Sequence, residues 1–429
     1  MKLSLLGVGN AGTRIVDRLV EAEAGTDRNF TDGNVLAFDT TTTAFEETTS
    51  IPEERQVLIG DTHPAVTQHE SRTETAGNAT ANDDDGDGDS ANSGDGERAG
   101  VGGDPDVGAS VADEERPEIR RALDRVDETE VDAAILVAGL GGGTGSGVGS
   151  VLLEELKSSY EDPVYVLGVL PATTESDDRA LTAARAVRTI VPMADAVIPI
   201  DNEAWRRDAD RIADCYDEIN DAIATRIVSL FAAGESDPTS VSEMRIDPTD
   251  ISRTLGVGGL ASIGYATFEA EPDSNGLLAR LKRLLGLADD TEANTATDAA
   301  TIKRLVRRAL ESKLTLPCDV SATDRVLLIL SGPPGDISRK GFETGRYLLE
   351  EETGTVEVLA GDEPLAGATT ITATVLFSNV TAVPRIEELQ RRAVAHLDET
   401  SAAAVDDRGF EFQDESADRA PAEQEAERE

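Results

Sequence analysis

The chain has 429 residues, 39% of them apolar and only 3% aromatic, enough for two or three domains at roughly 150 residues each. Its 84 Asp and Glu against 39 Lys and Arg give a formal net charge of -45, which repels a phosphate backbone and excludes DNA or RNA as a partner. Only six of the cations are lysines, and the acids are spread through the helical segments, a composition suited to multimolar salt, where charge repulsion is screened within a few ångström.

In chain order, a short apolar run at Leu3 to Leu6 turns glycine-rich and then charged at Arg14, Asp17 and Arg18, which fits a buried strand instead of a secretory signal. Residues 61 to 99, with DDDGDGD at 83 to 89, hold too little apolar surface to offset ordering entropy and are expected to be a disordered acidic insertion. Val35 to Phe38, Ala133 to Ala138, Val164 to Leu170 and Ala196 to Ile200 are further apolar runs, each followed by a helical pattern. Such alternation predicts a parallel sheet covered on both faces, with ligands bound outside the carboxyl ends of its strands. A long helix is expected from about Asp214 to Ala232, with Ile219, Ile223, Ile227 and Leu230 on one stripe.

Strands at Arg325 to Leu330, Val356 to Leu359 and Ile371 to Phe377, with helices near 300 to 313, 338 to 351 and 384 to 398, predict a second, smaller α/β domain. Residues 399 to 429 are expected to be a disordered acidic tail, since 401 to 429 carry ten acids against three arginines. No run of 18 uncharged apolar residues occurs, so no integral membrane segment is expected. Cys215 and Cys318 have neither zinc nor disulfide spacing, and a reducing, cytoplasmic setting is the default.

Two glycine clusters carry the chemistry. Gly7-Val8-Gly9-Asn10-Ala11-Gly12 lies between a strand and a helix, where a sharp turn and unpaired N–H groups suit a phosphate. With Asp39 at the end of the next strand, placed to hold a ribose, this cluster alone leaves a nicotinamide-dependent oxidoreductase open. The second cluster, Gly139-Leu140-Gly141-Gly142-Gly143-Thr144-Gly145-Ser146-Gly147, forms a nest of backbone donors for a diphosphate or triphosphate and, lacking lysine, is not a Walker A loop.

Together with their surroundings these motifs resemble the tubulin/FtsZ superfamily of GTPases, from Met1 to about residue 398 apart from the insertion. The stretches VAGLGGGTGSG, YVLGVLP, YDEIND, LTLPCDV, SGPPGDISRKGFETGR and VPRIEELQ look like its archaeal CetZ group, which is linked to cell shape. The resemblance implies an α/β fold: a Rossmann-like parallel-sheet GTPase domain (1–60 and 100–213), a core helix with synergy loop (214–254) and a smaller α/β domain (255–398). It further implies GTP with Mg2+ as cofactors, head-to-tail filaments as the partner, and paralogous subunits as further partners.

The same resemblance assigns residues. Gly9, Asn10, Ala11 and Gly12 match the first nucleotide loop, Gly102, Gly103 and Asp104 the terminal-phosphate loop, and Gly141, Gly142, Gly143, Thr144, Gly145, Ser146 and Gly147 the phosphate signature. Glu175 and Arg179 stand where an acid and an arginine meet ribose and phosphate, a pairing that a carboxylate and a guanidinium fork can make. Asn202 matches a family asparagine after the sixth strand. Tyr216 and Asn220, one helical turn apart, can stack on and read a purine.

Asp247 and Asp250 match the synergy loop, two carboxylates able to orient the attacking water at a neighbouring subunit's nucleotide. Arg245, which stands in that loop where many FtsZ sequences have asparagine, together with Pro248 and the insertion, leaves a second reading open. In it, a non-hydrolysing relative binds GTP and modulates filaments of active paralogues.

Overall fold

The computed structural model describes residues 1–26, 28–66, 100–207, 211–233, 235, 245–269, 291–333, 337–365 and 367–411. Most of the expected insertion (67–99) and of the expected tail (412–429), together with Met244, lies outside the described residues.

The first sheet consists of β1 (Leu3–Val8), β2 (Val35–Asp39), β3 (Gln56–Leu58), β4 (Ala133–Gly139), β5 (Val164–Leu170) and β6 (Ala196–Asp201). All pairings are parallel and the order is β3-β2-β1-β4-β5-β6. Its flanking helices are α1 (Gly9–Ala24), α2 (Pro105–Glu114), α3 (Arg116–Leu123), α4 (Gly149–Ser159), α5 (Asp177–Ile190), α6 (Tyr216–Phe231) and α7 (Pro248–Leu255). Period-2 alternation splits the strands between two cores. Leu3 and Leu5 join Ile15 and Leu19 of α1 and Ile219, Ile223 and Ile227 of α6, whereas Leu6 and Val8 join Val111 of α2, Leu152 of α4 and Val187 of α5.

The second sheet has the order β7-β10-β8-β9, with β7 (Ala261–Glu269), β8 (Arg325–Gly332), β9 (Val358–Pro364) and β10 (Thr370–Ser378). β10 runs antiparallel to β7 and β8, while β8 and β9 are parallel. Ile263, Leu327, Ile329 and Leu376 of this sheet share the core of the α6 stripe, so α6 is buried from both sides. Helices α8 (Thr291–Leu310), α9 (Arg339–Thr353) and α10 (Pro384–Glu411) complete this half. Arg28 and the buried Glu363 pair at 2.6 Å between the two sheets' halves.

Two expectations are corrected, and two strands lie where none was expected. β9 begins at Val358, not Val356, because Val356 is 86% exposed and has no sheet face to pack on. β7 was not expected: Ser262, Gly264, Ala266 and Thr267 blur its alternation, and β10 supplies the pairing that holds it. β3, three residues at a sheet edge, is likewise unannounced. The tail does not begin at 399: α10 continues to Glu411 through an alanine-rich run without proline, and alanine is the best helix former.

Candidate functional site

The chain order reverses between β1 and β4, which opens a crevice at their carboxyl ends. Both helices entering that crevice are uncapped. Val8 makes no side-chain cap for α1, Gly143 makes none for the π turn Thr144–Val148 that leads into α4, and neither first turn holds an acid. The other helices flanking this sheet are either capped, by Asp104 before α2, Ser176 before α5 and Asp247 before α7, or carry acids in the first turn, Glu118 in α3 and Asp217 and Glu218 in α6. In so acidic a chain, two open, acid-free N-termini facing one crevice make an anion site.

Close backbone packing brings the three glycine segments together. A Cβ on Gly143 would lie 2.6 Å from the carbonyl carbon of Gly103 and 2.7 Å from the N of Asp104, so the second cluster touches the terminal-phosphate loop. Gly9, at φ 70°, lies against Gly145. Gly12 is buried on the carbonyl of Val137 in β4, while Asn10 and Ala11 are exposed in the first turn of α1. Gly141 and Gly142 line the open side; Gly102 is exposed. Ser146 donates its hydroxyl to the carbonyl of Leu140 at 2.7 Å, and the Asp104 carboxylate accepts from the N–H of Asp106 and Val107, so both side chains serve the loops' shape.

Thr40 was not picked out in the sequence, and its Oγ1 lies 2.9 Å from that of Thr144, which ties the end of β2 to the second glycine cluster. The preceding Asp39 is buried; Oδ1 accepts from the N–H of Thr40 (2.7 Å) and Thr41 (3.3 Å), while Oδ2 has no hydrogen-bond partner among the described residues. Burial pushes its carboxyl up to about 6 against those two donors. A folded value above the unfolded one means the folded chain binds this proton more tightly, so Asp39 weakens the fold as pH rises from about 4 to about 6. Asp39→Asn is therefore expected to stabilise the ligand-free protein at pH 7 by up to about 3 kcal/mol and to change nothing below about pH 4, as thermal melts at the two pH values will register.

At the ends of β5 and β6 stand the residues expected to meet the nucleoside. Glu175 pairs with Arg179 at 2.8 Å and accepts from the N–H of Ala172 at 2.6 Å. Asn202 opens the helical turn Asn202–Trp205, is buried, and leaves Oδ1 without a partner among the described residues. A buried acceptor left open beside a crevice points to a ligand donor. Tyr216 and Asn220 occupy the first two turns of α6, half-buried, and α6 runs beside α1 with Arg18 and Asp221 paired at 3.0 Å.

Asp247 and Asp250 are held apart from all of this. They form a capping box at the start of α7: Asp247 Oδ1 accepts from the N–H (2.8 Å) and hydroxyl (2.7 Å) of Thr249, and Asp250 Oδ2 accepts from the N–H of Asp247 at 3.2 Å. Those Thr249 donors hold the Asp247 carboxyl below its usual range, with a smaller contribution from the α-ammonium of Met1. The N–H of the neighbouring Ile246 donates to the carbonyl of Asp362 in β9 and anchors this loop to the second sheet. Glu363, beside Asp362, pairs with Arg28, and the carbonyl of Phe30, two residues on, accepts from the N–H of Leu3 at the start of β1. Gly9 follows β1, and six strand residues span about 20 Å, so the carboxylate pair and the glycine loops lie at opposite ends of the sheet.

This fold, with three glycine loops at a switch-point crevice and a long helix joining two sheets, defines a nucleotide-binding protein of the tubulin type. Residues 2–210 match the family model of the Tubulin/FtsZ family, GTPase domain, and residues 209–395 that of the tubulin-like CetZ C-terminal domain. Tubulin-like protein CetZ1 of Haloferax volcanii is 39% identical over 405 residues, 93% of each chain. The structure is similar to the GDP-bound monomer of Haloferax volcanii CetZ1 (TM-score 0.72, 34% identity, 92% of this chain and 100% of that one). It is equally similar to the GTPγS-bound protofilament of Haloferax volcanii CetZ2 (TM-score 0.72, 31% identity, 94% and 100%). The chain belongs to the tubulin-like CetZ family.

Proposed function

We propose that this protein binds GTP in the crevice between β1 and β4, assembles head to tail into filaments, and hydrolyses GTP at the contact between subunits. The observation that carries this reading is the separation of the anion-binding loops from the Asp247/Asp250 pair at opposite ends of one sheet. No single subunit can bring them together. A head-to-tail contact can, because it sets the lower face of one subunit on the upper face of the next, and such a heterologous contact propagates. The relatives recorded with GDP as a monomer and with GTPγS as a protofilament support the same cycle.

Within the site, the open N–H groups of the two uncapped helix starts bind the phosphates. Glu175 and Arg179 take the ribose and an adjacent phosphate, while Asn202, Tyr216 and Asn220 take the guanine. Asp247 and Asp250 of the neighbouring subunit orient water and accept its proton. Among the described residues no three His, Cys, Asp or Glu cluster as a metal cage. A Mg2+ would be held chiefly by phosphate oxygens, whose charge it would neutralise, and Asp39 Oδ2, which has no hydrogen-bond partner among the described residues, could serve it as a protein ligand. A nicotinamide reading would use the first glycine cluster and leave the second, its partner in the crevice, without a role. The part in cell shape rests on the family resemblance.

Titration with GTP, GDP and ATP in multimolar KCl with magnesium tests the binding half. Saturable binding of both guanine nucleotides and much weaker ATP binding is the expected result; no guanine-nucleotide binding would refute the reading.

A further inference from the structure

Asp201 ends β6 and Pro171 directly follows β5, the two strands that carry the nucleoside residues, and both are held by a residue from the far end of the chain. Arg385, in the first turn of α10, donates from Nε to Asp201 Oδ1 at 3.0 Å, from Nη2 to the carbonyl of Pro171 at 2.5 Å and from Nη1 to Glu388 at 3.0 Å. The side chains of Arg385 and Asp201 are 5% and 4% exposed. Asp201 in turn accepts from the N–H of Glu203 at 3.2 Å and so caps the helical turn that begins at Asn202. The Pro171 ring sits 3.3 Å from where a Cβ on Gly141 would fall, so the same clamp abuts the second glycine cluster. Two turns along α10, Arg392 donates to the carbonyl of Glu175 at 3.0 Å and to Asp177 at 2.6 Å.

A buried ion pair is a weak device for stability, because desolvation offsets its attraction. A planar guanidinium bonded at once to two strand ends does something else: it fixes their spacing. We propose that Arg385 is a positioning residue for nucleoside recognition, setting Asn202 on β6 against Glu175 and Arg179 beyond β5, so that the C-terminal helix is part of the nucleotide site. This rests on the nucleoside assignment made above.

Arg385→Lys keeps a positive charge beside Asp201 but offers one ammonium where a fork spans two acceptors. The double variant Asp201→Asn/Arg385→Gln keeps a capping side chain at 201 and leaves no buried charge unpaired. Affinities for GTP and GDP are measured in multimolar KCl, with thermal melts alongside. Both variants are expected to lose about tenfold in affinity, the scale of one charge-assisted hydrogen bond, and to lose it equally for GTP and GDP because the clamp holds the nucleoside end of the site, which the two nucleotides share. Affinities within roughly twofold of wild type, with or without a lowered melting temperature, would overturn the proposal. So would a loss confined to GTP, which would put the effect at the terminal phosphate. Wild-type protein that binds neither nucleotide would instead refute the functional reading, and the proposal with it.

Discussion

Asp247→Asn is expected to leave GTP binding and filament formation in place and to lower turnover by about a thousandfold, the scale of an acid–base pair acting on the attacking water. Asparagine is the informative replacement because it caps a helix as well as aspartate does, so the bond to the Thr249 N–H is kept while the charge is removed. Alanine would also remove the cap, at about 1 kcal/mol, and would mix a folding effect into the kinetic one. Because Thr249 holds the carboxyl below its usual range, Asp247 is ionised throughout the neutral range, and its charge is available to orient the attacking water. Single-turnover and steady-state GTPase assays, with GTP affinity measured on the same preparation, check the prediction. Turnover preserved to within roughly threefold would remove Asp247 from the reaction.

Gly143→Ala is expected to act on the other end of the sheet, weakening GTP and GDP by about a hundredfold or more. Its Cβ would lie 2.6 Å from Gly103 and 2.7 Å from the Asp104 N, atoms of a backbone that cannot turn aside as a side chain can. The terminal-phosphate loop must then separate from the second glycine cluster, and donors from both lose their common target. Gly142→Ala is the matched control, since its Cβ would meet no atom within 4 Å in the ligand-free chain and should leave stability unchanged. Calorimetric titration with melting curves for both variants separates the two effects. Wild-type affinity in Gly143→Ala would show that the loops need not touch for binding.

The parts of this site legible in the sequence are those where backbone geometry dictates residue type. Six glycines between Gly139 and Gly147 announce close backbone approach, and β5, apolar on both faces, falls where its pattern says, from Val164 to Leu170. Side chains whose meaning depends on a distant partner were not legible. Arg385 lies 184 residues from Asp201, and in the sequence it is one arginine in the first turn of an amphipathic helix. The partnerless oxygen of Asp39 is a property of packing, not of the residue that bears it. Asp104 and Asp247 show a further ambiguity: an acid before proline suits a helix cap and a catalytic or phosphate loop alike, and here both cap helices. The length of α10 escaped because acidic charge favours a solvated tail while its alanines favour helix, and the alanines prevail to Glu411.

The central claim is that the site is completed between subunits, and the dependence of GTPase rate on protein concentration tests it most directly. In multimolar KCl with magnesium, with right-angle light scattering recorded on the same samples, the rate per subunit is predicted to climb with concentration and to track the scattering. A rate per subunit that stays constant while scattering rises would contradict it, since turnover would then belong to the isolated subunit.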